Sequence, residues 1–331
     1  MPMNFSYYSR PGIVSFLDDD VAYLQVLMDA LPQDWFITSS TQPEALIEHL
    51  KPQAARSEAD AWRHQEIVFR GRDGVSLIKQ VLDYWREDAT DRFDLVQVLV
   101  VDYGLPGTSG LRVLSELRDW IGARILLSGL ANEHLAVTAF NRGLIEQYIP
   151  KQSIEVRNLL VEAIQVLKLL PLSRHQQAWH TTLTSKQQAL IANPKVTETL
   201  QTIAHNHQWI EHVVMGNPFG VLALDNKGAV TWLQLETPEH LSELAQIAFA
   251  QGHDVASAAG VQKGTHLIAF ELQNSFDAEF KAPAMAAFAI DGLSEPLLYG
   301  AFTAIPDKFC PGPQRSFEMF LTMNQNRSLF R

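Results

Sequence analysis

Cysteine is almost missing from this chain: among 331 residues only Cys310 carries a thiol. No intrachain disulfide can form, so folding rests on an apolar core and backbone hydrogen bonds. Long apolar runs are missing too. No stretch reaches the ~20 consecutive apolar residues needed to span a bilayer. The N-terminal MPMNFSYYSRPG has no basic segment followed by an apolar core, as a secretory signal would. The expectation is a cytoplasmic protein with no membrane partner. Positive charge is scarce, with Lys+Arg 26 against Asp+Glu 37, a net charge of −11. Broad binding to a phosphate backbone needs clustered Lys and Arg. The densest basic stretch, Arg63–Arg72, is short and interrupted by Glu66. DNA is therefore not expected as a partner.

What is present is a core: 47% of residues are apolar, in a chain long enough for two domains. Residues 10–170 alternate strand and helix. Short apolar runs at 13–17, 35–38, 96–101, 125–127 and 148–150 read as strands, and 20–31, 44–50, 110–120, 132–141 and 154–170 carry apolar residues at helical spacing. Five strands alternating with helices predict an α/β domain, a doubly wound five-stranded parallel sheet. Residues 53–92 are surplus to that pattern and contain a helix of their own at 74–85, with Leu77, Ile78, Val81, Leu82 and Trp85 on one stripe. An extra helix on the domain flank is the favoured reading, a partner surface the other.

The strand ends carry the chemistry. The run Val98–Pro106, VLVVDYGLP, delivers Asp102 to the open end of a sheet, where α/β sites form. The first strand ends in Asp18-Asp19-Asp20, the fourth in Ser128, and the fifth in Pro150 followed by Lys151. Acids, a hydroxyl and an amine on neighbouring strand ends suit a divalent cation and a phosphoryl group. Singly, each residue has an ordinary explanation: acids suit a helix N-terminus, and a lone lysine is usually solvated.

Together, in this order, they resemble the receiver domain of two-component response regulators. Asp18 and Asp19 stand at the family's acidic pair, Asp102 at its phosphoacceptor, Ser128 at its hydroxyl position, Lys151 at its lysine and Tyr148 at its aromatic switch. Asp102, Leu105, Pro106, Gly107 and Gly110 follow its loop pattern. The resemblance implies Mg²⁺ held by Asp18 (through water), Asp19, Asp102 and the carbonyl of Gly104, with phosphorylation of Asp102 by a sensor histidine kinase or phosphotransfer protein. Three features depart from the pattern, the first a conformationally permissive glycine, Gly104, in the loop after Asp102. Asp19 and Asp102 are widely separated by the 53–92 segment, and Gln152 follows the lysine where the family commonly has proline.

The second half is less legible. Residues 172–215 read as a helical linker broken at Asn193-Pro194. Residues 216–331 read as an α+β output domain with an antiparallel sheet: a hairpin across Asp225–Gly228, a helix at 237–250, and strands at 265–272, 284–290 and 297–304. In pattern this half resembles a PAS-type sensor, which implies a ligand or protein partner. Trp232, Phe249, Phe270 and Phe288 are candidate pocket aromatics. Glu236, Glu239, Glu243, Asp254, Glu271 and Asp277 stand at no metal-ligand spacing, and His175, His180, His205, His207 and His212 read as surface residues. The chain is thus expected to be a regulator rather than an enzyme, dimeric through the apolar helix 154–170. A receiver-gated enzyme and an atypical DNA-binding output are the alternatives.

Overall fold

A computed structural model describes residues 5–32, 35–87, 91–129, 133–276, 280, 283–292 and 295–324. Asn132 and Asp277, singled out above, lie outside the described residues. In chain order the elements are β1 (Tyr8–Ser9), β2 (Ile13–Leu17), α1 (Val21–Ala30), β3 (Phe36–Ser40), α2 (Pro43–Leu50), α3 (Gln53–Arg72), α4 (Leu77–Glu87), β4 (Val96–Asp102), α5 (Gly110–Glu116), β5 (Ala123–Ser128), α6 (Glu133–Asn141), β6 (Gln147–Pro150) and α7 (Val156–Leu167). Helices α8 (Ser173–His180), α9 (Ser185–Ile191) and α10 (Pro194–Asn206) lead into β7 (Trp209–Gly216), β8 (Phe219–Asp225) and β9 (Val230–Glu236). Then come α11 (Leu241–Ala250), α12 (Val255–Gln262), β10 (His266–Ile268), α13 (Phe270–Ser275), β11 (Ala284–Ala286), β12 (Phe288–Asp291), β13 (Pro296–Ala304) and α14 (Phe317–Asn324).

Two compact units divide these elements. The first gathers described residues of 11–63, 90–174 and 320 onward; the second gathers those up to Arg10, 64–89 and 175–319. The expected boundaries differ in two places. The stripe of α4, from Leu77 to Trp85, is buried, and 64–89 belong to the second unit, so the helix is neither a flank of the parallel-sheet domain nor an open partner surface. Residues 175–215 are not a linker. Leu183, Ile191, Val196, Leu200 and Val214 lie in the second unit's core. Asn193-Pro194 starts a helix there: Asn193 accepts the Lys195 N–H and proline takes the first turn.

In the first unit the strands run parallel in the order β3-β2-β4-β5-β6, the doubly wound arrangement expected. All seven residues of β4 are buried, as a strand covered on both faces must be. One face packs Leu46 and Leu50 of α2, Val113 and Leu114 of α5 and Ala139 of α6. The other packs Leu24 and Leu27 of α1 with Leu160, Ile164 and Leu167 of α7. The apolar stripe of α7 is therefore used inside its own unit, and its composition alone does not call for a second copy.

The second unit holds an antiparallel sheet of order β1-β7-β8-β9-β13-β12 and a small β10-β11 pair. The β8–β9 hairpin closes where Asp225 Oδ1 accepts the Lys227 and Ala229 N–H groups and Gly228 takes φ 88°. The expected strand 265–272 is only β10; Phe270–Ser275 is α13, and a short apolar run does not separate the two by period. His212 lies on β7 and is buried, as is His175, whereas His205 and His207 are exposed. Burial pushes the His212 imidazole down to about 4. The four aromatics have different settings: Trp232 is fully buried, Phe270 is buried and Phe249 is 65% exposed. Among the described residues, no helix is long and apolar enough to cross a membrane.

Candidate functional site at the carboxyl edge of the parallel sheet

Parallel strands put their carboxyl ends on one edge. Register brings Leu17 beside Val101, Asp102 beside Leu127 and Ser128 beside Pro150. The residues just after β2 and β6, and the last ones of β4 and β5, therefore meet.

The three acids after β2 have three different places. Asp18 is buried, its N–H bound to the Ser40 carbonyl at 3.2 Å and its Oδ1 accepting the Asp20 N–H at 3.1 Å. Asp19 is exposed. Asp20 caps α1, accepting the Tyr23 N–H at 2.9 Å, so the helix-start explanation holds for one acid of the three. Asp102 is buried at the end of β4, and its Oδ2 accepts the Gly104 N–H at 2.9 Å. One carboxylate oxygen each of Asp18, Asp19 and Asp102 fall within 4.8 Å of one another.

Lys151 reaches into this group. Its Nζ lies 2.6 Å from Asp18 Oδ2 and 2.9 Å from Asp102 Oδ1. Its N–H binds the Ser128 carbonyl at 2.8 Å, which ties the ends of β5 and β6 together. Burial alone would lower the Lys151 amine, but hydrogen bonds to Asp102 and Asp18 outweigh it, and the net shift is upward. Desolvation raises the Asp18 carboxyl despite the lysine. Ser128 is buried at the strand end, and Tyr148 packs on the core face shared with α2, α5 and α6.

The structure gives contacts at the site to two further residues, one of them already noted as a departure from the family pattern. Tyr23, in the first turn of α1, places its ring 4.7 Å from Lys151 Nζ. Gln152, at the position where a proline was expected, donates its side-chain amide to the Gly129 carbonyl at 2.8 Å, anchoring the backbone next to Lys151. Neither residue carries a local sequence signal beyond its distance from the lysine or the acids.

The loop after Asp102 closes tightly. The Gly110 N–H binds the Tyr103 carbonyl at 3.0 Å, and a Cβ at Gly110 would lie 2.2 Å from the Asp102 carbonyl oxygen, a backbone atom. Gly110→Ala must push α5 off the end of β4. The expected loss is about 2 kcal/mol, as for overpacking elsewhere, read as a lower urea midpoint at unchanged m-value.

The donor set fits a divalent metal ion: three carboxylates with hard oxygen atoms, one of them exposed and two buried beside the lysine. The carbonyl of Gly104, expected as a further ligand from the family resemblance, belongs to an exposed residue two positions after Asp102.

Comparison with solved structures places this chain beside the Legionella pneumophila response regulator LqsR, at TM-score 0.70 and 19% identity over 99% of each chain. A CheY-like receiver domain from Methanospirillum hungatei matches 50% of this chain and 98% of its own length, at TM-score 0.31 and 15% identity. A receiver domain of an HD domain-containing protein from Pseudomonas fluorescens matches 51% of this chain and 99% of its own length, at TM-score 0.31 and 17% identity. No family model and no curated protein matches the chain. The first unit has the receiver fold, with the acids, hydroxyl and lysine on successive strand ends in the receiver order. The fold shared with LqsR extends along nearly the full length of this chain.

Proposed function

We propose that this chain is a two-component response regulator that takes a phosphoryl group on Asp102 from a sensor histidine kinase or phosphotransfer protein. The observation that carries the reading is Lys151 seated between Asp18 and Asp102 at the edge of a parallel sheet. In transfer, the Asp102 carboxylate oxygen attacks phosphorus, the bond from phosphorus to the donor nitrogen breaks, and the donor histidine leaves with its electron pair. Lys151, held protonated, neutralises charge on the phosphoryl oxygens. Mg²⁺ bound by Asp18, Asp19 and Asp102 would supply further charge neutralisation at the same oxygens. Ser128 donates a hydrogen bond to the phosphoryl group, an interaction present only in the phosphorylated form. Such a bond shifts a two-state loop, with Tyr148 as the side chain that follows.

The second unit then acts as output by binding a protein or small ligand, and the regulator works in the cytoplasm without turning over a substrate of its own. The test is incubation with Mg²⁺ and acetyl phosphate followed by intact mass. The expected gain is one phosphoryl group, roughly 80 Da from the stoichiometry of an acyl phosphate, absent in Asp102→Asn. A folded wild-type protein that gains no mass, from acetyl phosphate or from a kinase, overturns the reading.

A further inference from the structure

Acids that stand far apart in the second half of the sequence meet in space. A cavity of about 390 Å³ in the second unit is walled by Glu236 at the end of β9, Glu243 on α11 and Glu271 on α13, with apolar Phe219, Leu244 and Ile247. Glu236 is 9% exposed, and its Oε1 accepts the Gln234 side-chain amide at 2.9 Å. Glu271 Oε2 is shielded from solvent and has no hydrogen-bond partner among the described residues. A shielded carboxylate oxygen without a donor is costly unless something supplies one. We propose that this cavity binds a small organic cation, an ammonium or guanidinium group on a short apolar body, with Glu236 and Glu271 as its counter-charges.

The surroundings favour that class over others. Cations lining the cavity are limited to the rim: Lys186 is engaged by Glu239 at 2.9 Å, and His240 Nδ1 lies 3.7 Å from Glu236 Oε2 and is charged only if protonated. Anionic ligands would thus face three carboxyl groups. Bare metal ions fit poorly, because Glu236, His240, Glu243 and Glu271 do not bring three ligand atoms within 4.8 Å of one another. The apolar wall gives a carbon body something to cover. Burial, and the neighbouring Glu271 and Glu243 charges, hold the Glu236 carboxyl at about 7, against the help of Gln234; burial raises Glu271 as well. A cation offsets that repulsion, so binding near neutral pH releases a proton.

The proposal is independent of Asp102. The test is calorimetric titration of the full chain, in saturating Mg²⁺, with putrescine, agmatine and tyramine, and with 1,4-butanediol and tyrosol as uncharged counterparts. At least one amine is expected to bind while its uncharged counterpart does not. Glu236→Gln and Glu271→Gln, both isosteric, should weaken it about tenfold, the scale of one lost charge-assisted hydrogen bond. Asp102→Asn should leave the affinity unchanged. Apparent enthalpies in two buffers of different ionisation heat should reveal the released proton. No amine bound in the millimolar range, equal binding of uncharged counterparts, or binding lost with Asp102→Asn instead of Glu236→Gln each overturn the assignment.

Discussion

Replacing Lys151 by methionine should cost this protein about 2–3 kcal/mol of stability at pH 7 without divalent ions, and Mg²⁺ should return most of it. Methionine keeps the length and the apolar stem but removes the charge that separates two buried carboxylates. Breaking a buried ion pair from one side costs about 3–5 kcal/mol; the lysine side chain is 18% exposed, so solvent screens part of this. Because the folded-state amine is raised, its contribution is complete below the unfolded value near 10.5 and is lost only as pH climbs through the folded value. Neutral pH therefore shows the full effect. Urea unfolding of wild type, Lys151→Met, Asp18→Asn and the double variant isolates the pair. The lysine loss should shrink by half or more, roughly, when Asp18 is already neutral. An equal loss in both backgrounds would mean the lysine matters through packing instead. The same variant bears on phosphoryl transfer: it should retain Asp102 and the acids yet incorporate phosphoryl groups more slowly, by about a hundredfold, as when a charge-stabilising donor is lost.

The first unit was readable because each of its functional residues ends an apolar run. A buried parallel strand needs several consecutive apolar residues, so the polar residue that ends it marks both the strand end and the site. Asp18, Asp102, Ser128 and Lys151 were each found this way, and register brought their positions together. Gln152 and Tyr23 were not readable, since their roles depend on a carbonyl and an amine from other elements. The second unit hid more, for a topological reason. β1 is two residues long, too short for any periodicity, yet it pairs with β7 some two hundred positions later. The helix α4 packs into a core built mostly after residue 175. Neither pairing leaves a local trace. β7 itself was read as part of a helix although it carries Ile210, Val213 and Val214, β-branched residues that favour strands. That error turned the buried His212 into a surface residue. Glu236, Glu243 and Glu271 looked scattered because their spacing is set by where β9, α11 and α13 meet, not by a single helix or hairpin.

Ionisation of Glu236 should cost the chain stability as pH rises, and Glu236→Gln should remove that cost. The carboxyl is held at about 7 in the folded protein against 4.5 as its ordinary value, chiefly by burial. Between those values the native state holds a proton that the unfolded state has released, so unfolding stability decreases with rising pH and levels off above about 7. The span corresponds to a contribution on the order of 3 kcal/mol. A second buried group opposes it. His212, depressed to about 4 from 6.5, leaves the unfolded state holding the extra proton, so its contribution is full above 6.5 and is lost as pH falls toward 4. The two slopes oppose one another between 4.5 and 6.5, and the raised carboxyls of Glu271 and Asp18 add to the fall. The variant separates them. Glu236→Gln keeps an oxygen to accept the Gln234 amide and removes its own titration, so the variant should lose less stability than wild type as pH rises from 4.5 to 7. The stability difference between variant and wild type should grow steadily over pH 4.5–7 and then stay constant. Urea midpoints measured at half-unit steps read this directly. A constant difference across the whole range would mean that Glu236 ionises in the folded chain as it does in water, and that the cavity does not desolvate it.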